Sequence, residues 1–411
     1  MDTTPQSATL PLPAGVSGFA RPEYHRAVGI FARLFAGRTG NGAGLAVYRD
    51  GEPVLDIWAG AADEAGTPWT GDTGAMIYSA SKGVSATVIH RLADRGLIDY
   101  SAPVAEYWPE FAAGGKGSIT VRQLLSHRAG LSAIPARSAA EVLDHRLMEE
   151  RLAAATPDQL LGKPIYHGLT IGWLMAGLAR AITGKDMREL YRTEIADPLG
   201  VDGIHLGYPP AGSRTRGADL VGSVLPVMTS RLATPVAGFA RALPGPTRAP
   251  MRMIYVPGLE SIFAGDQPPI LHRTQLPAGN GVCTARALAK MYGAYACYGL
   301  VDGKPYLSTE TVRATAKIET FQLDRALVVP FWHLGFHTFP APRALHGYGH
   351  LGAFGSGGWT DPGSGVSVGF VHNRMSAVWA PLDMTLLAML VPSIVKSART
   401  AAELPARTTA A

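Results

Sequence analysis

Tyr78-Ser79-Ala80-Ser81-Lys82-Gly83 stands where a strand-rich beginning of the chain gives way to helical periodicity. Read as the first turn of a helix, the S-x-x-K spacing puts the Ser79 hydroxyl and the Lys82 amine on one face, within reach of a hydrogen bond. A serine hydroxyl loses its proton only far above neutrality and attacks only with a base beside it. Lysine can be that base where burial and the helix N-terminus lower its affinity for a proton. The plainer alternative is a helix cap followed by a solvated lysine. The tetrapeptide alone does not separate the two, because Ser393-Ile394-Val395-Lys396 has the same spacing. That copy follows Pro392 near the end of the chain, its lysine reads as exposed, and no chemistry is assigned to it. A rival motif, Gly365-Val366-Ser367-Val368-Gly369, spells the G-x-S-x-G elbow, which requires a sharp strand-to-helix turn. Here it lies inside a run that continues through Phe370 and Val371, and it reads as strand.

Upstream of Ser79, residues 44 to 58 hold two strand-like runs around Asp50-Gly51, a preferred hairpin turn pair. Downstream, Val84, Val88 and Leu92, then Leu152, Leu174, Leu178 and Ile182, recur at helical spacing up to about residue 199. Residues 200 to 277 are rich in proline and weakly periodic; they read as loops that wall a pocket, without regular structure. Thr284 is a good N-cap for a helix carrying Leu288, Met291, Tyr292 and Tyr295. Val366 to Val371 returns to strand, and a helical pattern follows from Leu382. Strands at both ends with helices between them predict an α+β fold, with one antiparallel sheet flanked by helices beside a mainly helical lobe. The boundaries read as a discontinuous sheet lobe over 16–75 and 278–397, a helical lobe with pocket-lining loops over 76–277, and a frayed Ala/Thr-rich tail over 398–411.

With 411 residues the chain exceeds the roughly 250 to 300 at which a single core stops growing, so two packed lobes are expected. It is 47% apolar and 17% charged, which excludes a disordered or fibrous protein. The net charge of +5 comes from scattered residues, mostly arginine, with no basic run to track phosphates, so no nucleic-acid partner is expected. Cys283 and Cys297 flank a predicted helix, which would hold them roughly 21 Å apart. A disulfide needs less than about 7 Å between Cα atoms, so both are expected as free thiols. The N-terminus lacks the charged and apolar regions of a secretory signal, and a cytoplasmic protein is the expectation, with peripheral association with the cell envelope left open. Leu382 to Val391 is apolar but interrupted by Asp383 and stopped by Pro392, too short for the ~20 residues that span a bilayer. No integral membrane segment is expected, and the oligomeric state is not legible.

Further motifs occur in order along the chain. Arg95-Gly96-Leu97-Ile98-Asp99 is followed by Pro103-Val104 and Tyr107-Trp108-Pro109-Glu110-Phe111, then by Thr120-Val121-Arg122-Gln123-Leu124-Leu125-Ser126-His127-Arg128-Ala129-Gly130-Leu131. Tyr166-His167-Gly168, Gly172-Trp173-Leu174 and Gly349-His350-Leu351-Gly352-Ala353 follow. Together they resemble the family VIII carboxylesterases, serine esterases on the class C β-lactamase and penicillin-binding-protein fold, and most of all the mycobacterial lipase/esterase branch. The resemblance covers residues 44 to 375.

The resemblance implies a β-lactamase/transpeptidase-like fold with Ser79 as nucleophile, Lys82 as base and Tyr166 as its partner. A phenol beside a lysine ammonium can ionise below its ordinary pKa of about 10 and relay the serine proton. The turn carrying His127 is implied to be structural, not part of a Ser-His-Asp triad. Gly168 stands where lactamases carry an asparagine. His350-Leu351-Gly352 stands where they carry K-T-G, and replacing that lysine by a largely neutral histidine disfavours anionic substrates. The Ser79 and Ala353 amides are implied as the oxyanion hole, beside Gly352 and His350. The expected activity is hydrolysis of small-molecule esters of short to medium acyl length. Amide, peptide or β-lactam hydrolysis at the same site remains an alternative, and a non-catalytic scaffold is an alternative of another class. No cofactor is expected, and no metal: His333 and His337 have helical ligand spacing but sit in a strand-like segment without an adjacent glutamate.

Overall fold

The computed structural model describes residues 9–222, 256, 273–327, 331–375, 383 and 385–403. Seven strands form one antiparallel sheet in the order Val16–Ala20, Glu52–Gly60, Gly42–Arg49, Val366–His372, Gly357–Asp361, Tyr348–Leu351 and His337–Thr338. The N-terminal and C-terminal parts meet at its centre, where Leu45 pairs with Phe370 and Val47 with Val368. The Gly42–Arg49 and Glu52–Gly60 strands are joined through Asp50 and Gly51, both at positive φ, as the Asp-Gly pair predicted.

Side chains alternate between the two faces of the sheet. Leu45, Val47, Val368 and Phe370 pack with helices His25–Phe35 and Leu386–Glu403, burying Phe31, Phe35, Leu390 and Ile394. Ala46 and Val371 face the other way, toward helix Ala285–Ala296, where Thr284 caps the helix by accepting the Ala287 N–H. That second core continues into helices Ser81–Asp94, His145–Ala154 and Thr170–Thr183. The nucleophile helix is therefore wedged between the sheet and the helical region.

The antiparallel sheet flanked by helices is the architecture expected. Three details differ. Pro392 does not stop the C-terminal helix, which runs from Leu386 to Glu403 and so continues past Ser397, where fraying was expected. A proline inside a helix costs about 3 kcal/mol, but Leu386, Leu387, Leu390, Val391, Ile394, Val395 and Ala398 are buried against the sheet. At about 1.5–3 kcal/mol per large side chain, that docking outweighs the loss. Within the stretch read as irregular loops, Ile204–Leu206 and Arg216–Gly217 are strands of a small second sheet. Residues 223–255, 257–272 and 404–411 lie outside the described residues, and the pocket-walling loops were expected mostly in the first two of these segments.

Cys283 and Cys297 are free. Ser367 lies within the Val366–His372 strand and donates to the Ala289 carbonyl at 2.8 Å, so the G-x-S-x-G string is no elbow. Lys396 is exposed on the C-terminal helix.

Candidate active site

Strand Thr73–Met76 leads into a tight 3-10 turn, Tyr78–Ala80, and then directly into helix Ser81–Asp94. Tyr78 takes a positive φ of 48°, which a bulky residue adopts only under constraint. Its ring is held edge-on against Phe354 at 5.0 Å. The reversal leaves Ser79 partly exposed, while Lys82, one turn on, is 1% exposed.

Three predicted residues meet at one atom. Lys82 Nζ lies 3.0 Å from Ser79 Oγ, and Tyr166 Oη donates to the same oxygen at 2.9 Å. Lys82 also donates to the Ala278 carbonyl at 2.9 Å, and its Nζ stands 4.8 Å from the centre of the Tyr166 ring. Burial holds the Lys82 amine well below its ordinary pKa, in the direction a base requires. Burial also raises the Tyr166 phenol, only partly offset by its hydrogen bond to Ser79. The expectation of a tyrosine ionised by a neighbouring ammonium is therefore corrected. Both groups are desolvated together, and burial disfavours the charged form of each.

His127 proves to be a brace for Tyr166. It sits at a positive φ of 59° and is buried, with its carbonyl accepting the Ile165 N–H at 3.1 Å and its Nδ1 accepting the His167 N–H at 3.0 Å. The residues on either side of Tyr166 thus hang from one histidine. Trp332 stacks on the Tyr166 ring at 5.6 Å and is anchored through its indole N–H to Asp324. The sequence motif flagged His127, but nothing local marked Trp332, and a backbone acceptor such as Ala278 O has no residue signature.

On the other side of the cleft, the Tyr348–Leu351 strand ends against the nucleophile turn. A β-carbon on Gly352 would overlap the Ile77 carbonyl oxygen, so only glycine allows this approach. Ala353 opens the 3-10 turn Ala353–Gly355, as Ser79 lies in its own, and the leading N–H groups of such turns have no partner within them. His350 is 3% exposed, its Nδ1 is 2.8 Å from Leu351 O, and its Nε2 is buried with no hydrogen-bond partner among the described residues. Burial holds it well below the ordinary histidine pKa. His337 accepts the Leu351 N–H at 3.2 Å, and His333 is engaged by Thr315 O and Thr338 Oγ1. Among the described residues no cluster of ligands suits a metal ion, and no helix is long and apolar enough to cross a membrane.

The fold is that of the β-lactamase/transpeptidase class of serine hydrolases. More closely, the chain belongs to the beta-lactamase family, whose model matches residues 31–391. The esterase/beta-lactamase LipL of Mycobacterium tuberculosis is 50% identical over 380 residues, covering 90% of this chain and 85% of LipL. Among solved structures, a family VIII carboxylesterase superposes with a TM-score of 0.75 at 32% identity, covering 88% of this chain and 94% of its own. A penicillin-binding-protein homologue from Caulobacter crescentus gives a TM-score of 0.76 at 28% identity, over 93% and 99% of the two chains.

Proposed function

We propose that the protein is a serine carboxylesterase that hydrolyses small esters of short to medium acyl length through an acyl-enzyme on Ser79. One observation carries this reading: the Ser79 hydroxyl lies between the buried Lys82 amine at 3.0 Å, whose pKa burial lowers, and the Tyr166 phenol at 2.9 Å, whose pKa burial raises. Lys82 takes the Ser79 proton as Oγ bonds to the ester carbonyl carbon. The carbonyl oxygen becomes an oxyanion that the Ser79 and Ala353 N–H groups receive, each donor worth on the order of 3 kcal/mol in the transition state. As the tetrahedral centre collapses, Tyr166 gives its proton to the leaving alkoxide and recovers one from Lys82. Water then attacks the acyl carbon as Lys82 takes its proton, and when the tetrahedral centre collapses Lys82 returns that proton to Ser79 Oγ, releasing the acid and restoring the free hydroxyl and amine.

The ester relatives, LipL and the family VIII carboxylesterase, support the substrate class. So does the cleft. His350 replaces a permanent cation with a neutral ring, leaving nothing at that position to pair with the carboxylate of a β-lactam or cell-wall peptide. LipL is also a beta-lactamase, which supports a second reading of β-lactam hydrolysis at the same serine.

Incubation with a fluorophosphonate probe should add one adduct to the wild type and none to Ser79→Ala, read by intact mass. An unlabelled wild type, or equal labelling of Ser79→Ala, overturns the mechanism. A series of p-nitrophenyl esters of increasing acyl length should turn over faster than a chromogenic cephalosporin; the reverse order would make the second reading the first.

A further inference from the structure

Among the described residues the Ala278 carbonyl is the backbone group that accepts a hydrogen bond from the Lys82 amine, and its own placement has a visible cause. The preceding carbonyl, Pro277 O, accepts from Ser85 Oγ at 2.8 Å. Ser85 has a single proton, so its 2.8 Å contact with Tyr191 Oη can be a hydrogen bond only if Tyr191 donates. The Tyr191 proton also faces the Ser81 carbonyl at 3.1 Å, so it is shared between two acceptors on the nucleophile helix. Further along the same segment, Ser81 Oγ accepts the Gly281 N–H at 2.9 Å. Ser81, Ser85 and Tyr191 are each at most 1% exposed, so water does not substitute for any of these bonds. From the opposite side the segment is pressed by helix Thr170–Thr183. A β-carbon on Gly172 would lie 3.0 Å from the Pro277 carbonyl carbon and closer still to the Ala278 backbone nitrogen.

We propose that Ser85 and Tyr191 are positioning residues that hold the Pro277–Ala278 peptide so that its carbonyl orients the Lys82 amine toward Ser79. A neutral amine has two N–H bonds and one lone pair. Committing one N–H to Ala278 O fixes the rotation of the amine and lets the lone pair face the Ser79 hydroxyl. The Ser85–Tyr191 pair thus serves Lys82 as an orienting group serves the base of a nucleophile–base pair, acting through a backbone carbonyl instead of a side chain. This inference rests on the proposed roles of Ser79 and Lys82.

The test compares Ser85→Ala, Tyr191→Phe and Gly172→Ala with the wild type by the rate of fluorophosphonate labelling as a function of pH, with Ser79→Ala as control. Misplacement of a reacting group by about 1 Å costs on the order of a hundredfold in rate. Labelling should slow roughly ten- to a hundredfold in each folded variant. The acid limb of the profile should move to higher pH, because a loosened segment admits water to Lys82 and returns its pKa toward that of a solvated lysine. A merely structural role would lower the melting temperature and leave both rate and limb unchanged, and that result in folded Ser85→Ala overturns the proposal. Ser85→Ala removes one oxygen at a helical position where alanine is favoured, so it carries the test alone should the other variants not fold. If the wild type is not labelled, or Ser79→Ala is, it is the acyl-enzyme reading that fails; normal Ser79 labelling with unaltered variants refutes only the positioning role.

Discussion

A lysine can take a proton from serine only as the free amine, and burial shifts Lys82 in that direction, with no carboxylate bonded to its amine among the described residues. Lys82→Arg should therefore be inactive, although it keeps charge and approximate length, because a guanidinium holds its proton throughout the accessible pH range. Loss of probe labelling in a variant that melts normally is the expected result; near-wild-type labelling would exclude Lys82 as the base. Tyr166 acts from the other side as a donor. Tyr166→Phe keeps the ring stacked on Trp332 and removes only the hydroxyl, so the fold should hold while kcat on p-nitrophenyl acetate falls about 10²- to 10⁴-fold, the range for general acid–base groups. At this scale the pairing of Ser79 with Lys82 was legible because only three residues separate them across the turn into the helix. The sequence disclosed Tyr166 only through family likeness, since 87 residues separate it from the serine it touches. The protonation states were not legible, because they are set by how completely distant segments exclude water.

Helices and strands here follow local rules until packing overrides them. Thr284, predicted as an N-cap from its sequence, accepts the Ala287 N–H in a buried position that leaves water no access to that donor. Thr284→Ala should cost about 1 kcal/mol, read as a lower urea midpoint with an unchanged slope. An unaltered midpoint would show the cap to be dispensable. The C-terminal helix makes the opposite case: Pro392 marks a helix end by local rules, yet the helix continues through it, because its apolar stripe docks on the sheet. Ser367 and Ser393 carry serine motifs with no nucleophile geometry; one is fixed inside a central strand and the other lies on that docked helix. A motif of four or five letters specifies spacing, whereas exposure at a turn depends on the elements around it.

Over the whole molecule, the interior holds several histidines that burial keeps neutral. The pKa values of His167, His333, His337 and His372 are lowered to about 4, against 6.5 in a solvated chain. Between those values the unfolded chain binds more protons than the folded one, so stability rises with pH across the window and falls as the protein is acidified through it. The melting temperature should drop steeply from pH 6.5 to about 4, and these histidines should add no slope above pH 7. A melting temperature that stays level across the acid window would mean that these rings are hydrated. By itself, the sequence determined the S-x-x-K helix, the Asp50-Gly51 hairpin, the Thr284 cap and the mixed architecture, all of which depend on contacts within a few residues or on periodic burial. Only the tertiary structure decided what surrounds Lys82. The carbonyl that holds its amine lies 196 residues away, and His127 holds the backbone around Tyr166 from 40 residues upstream. The reason is physical: desolvation and orientation, the two conditions the proposed base needs, come from segments that meet only when the chain is folded.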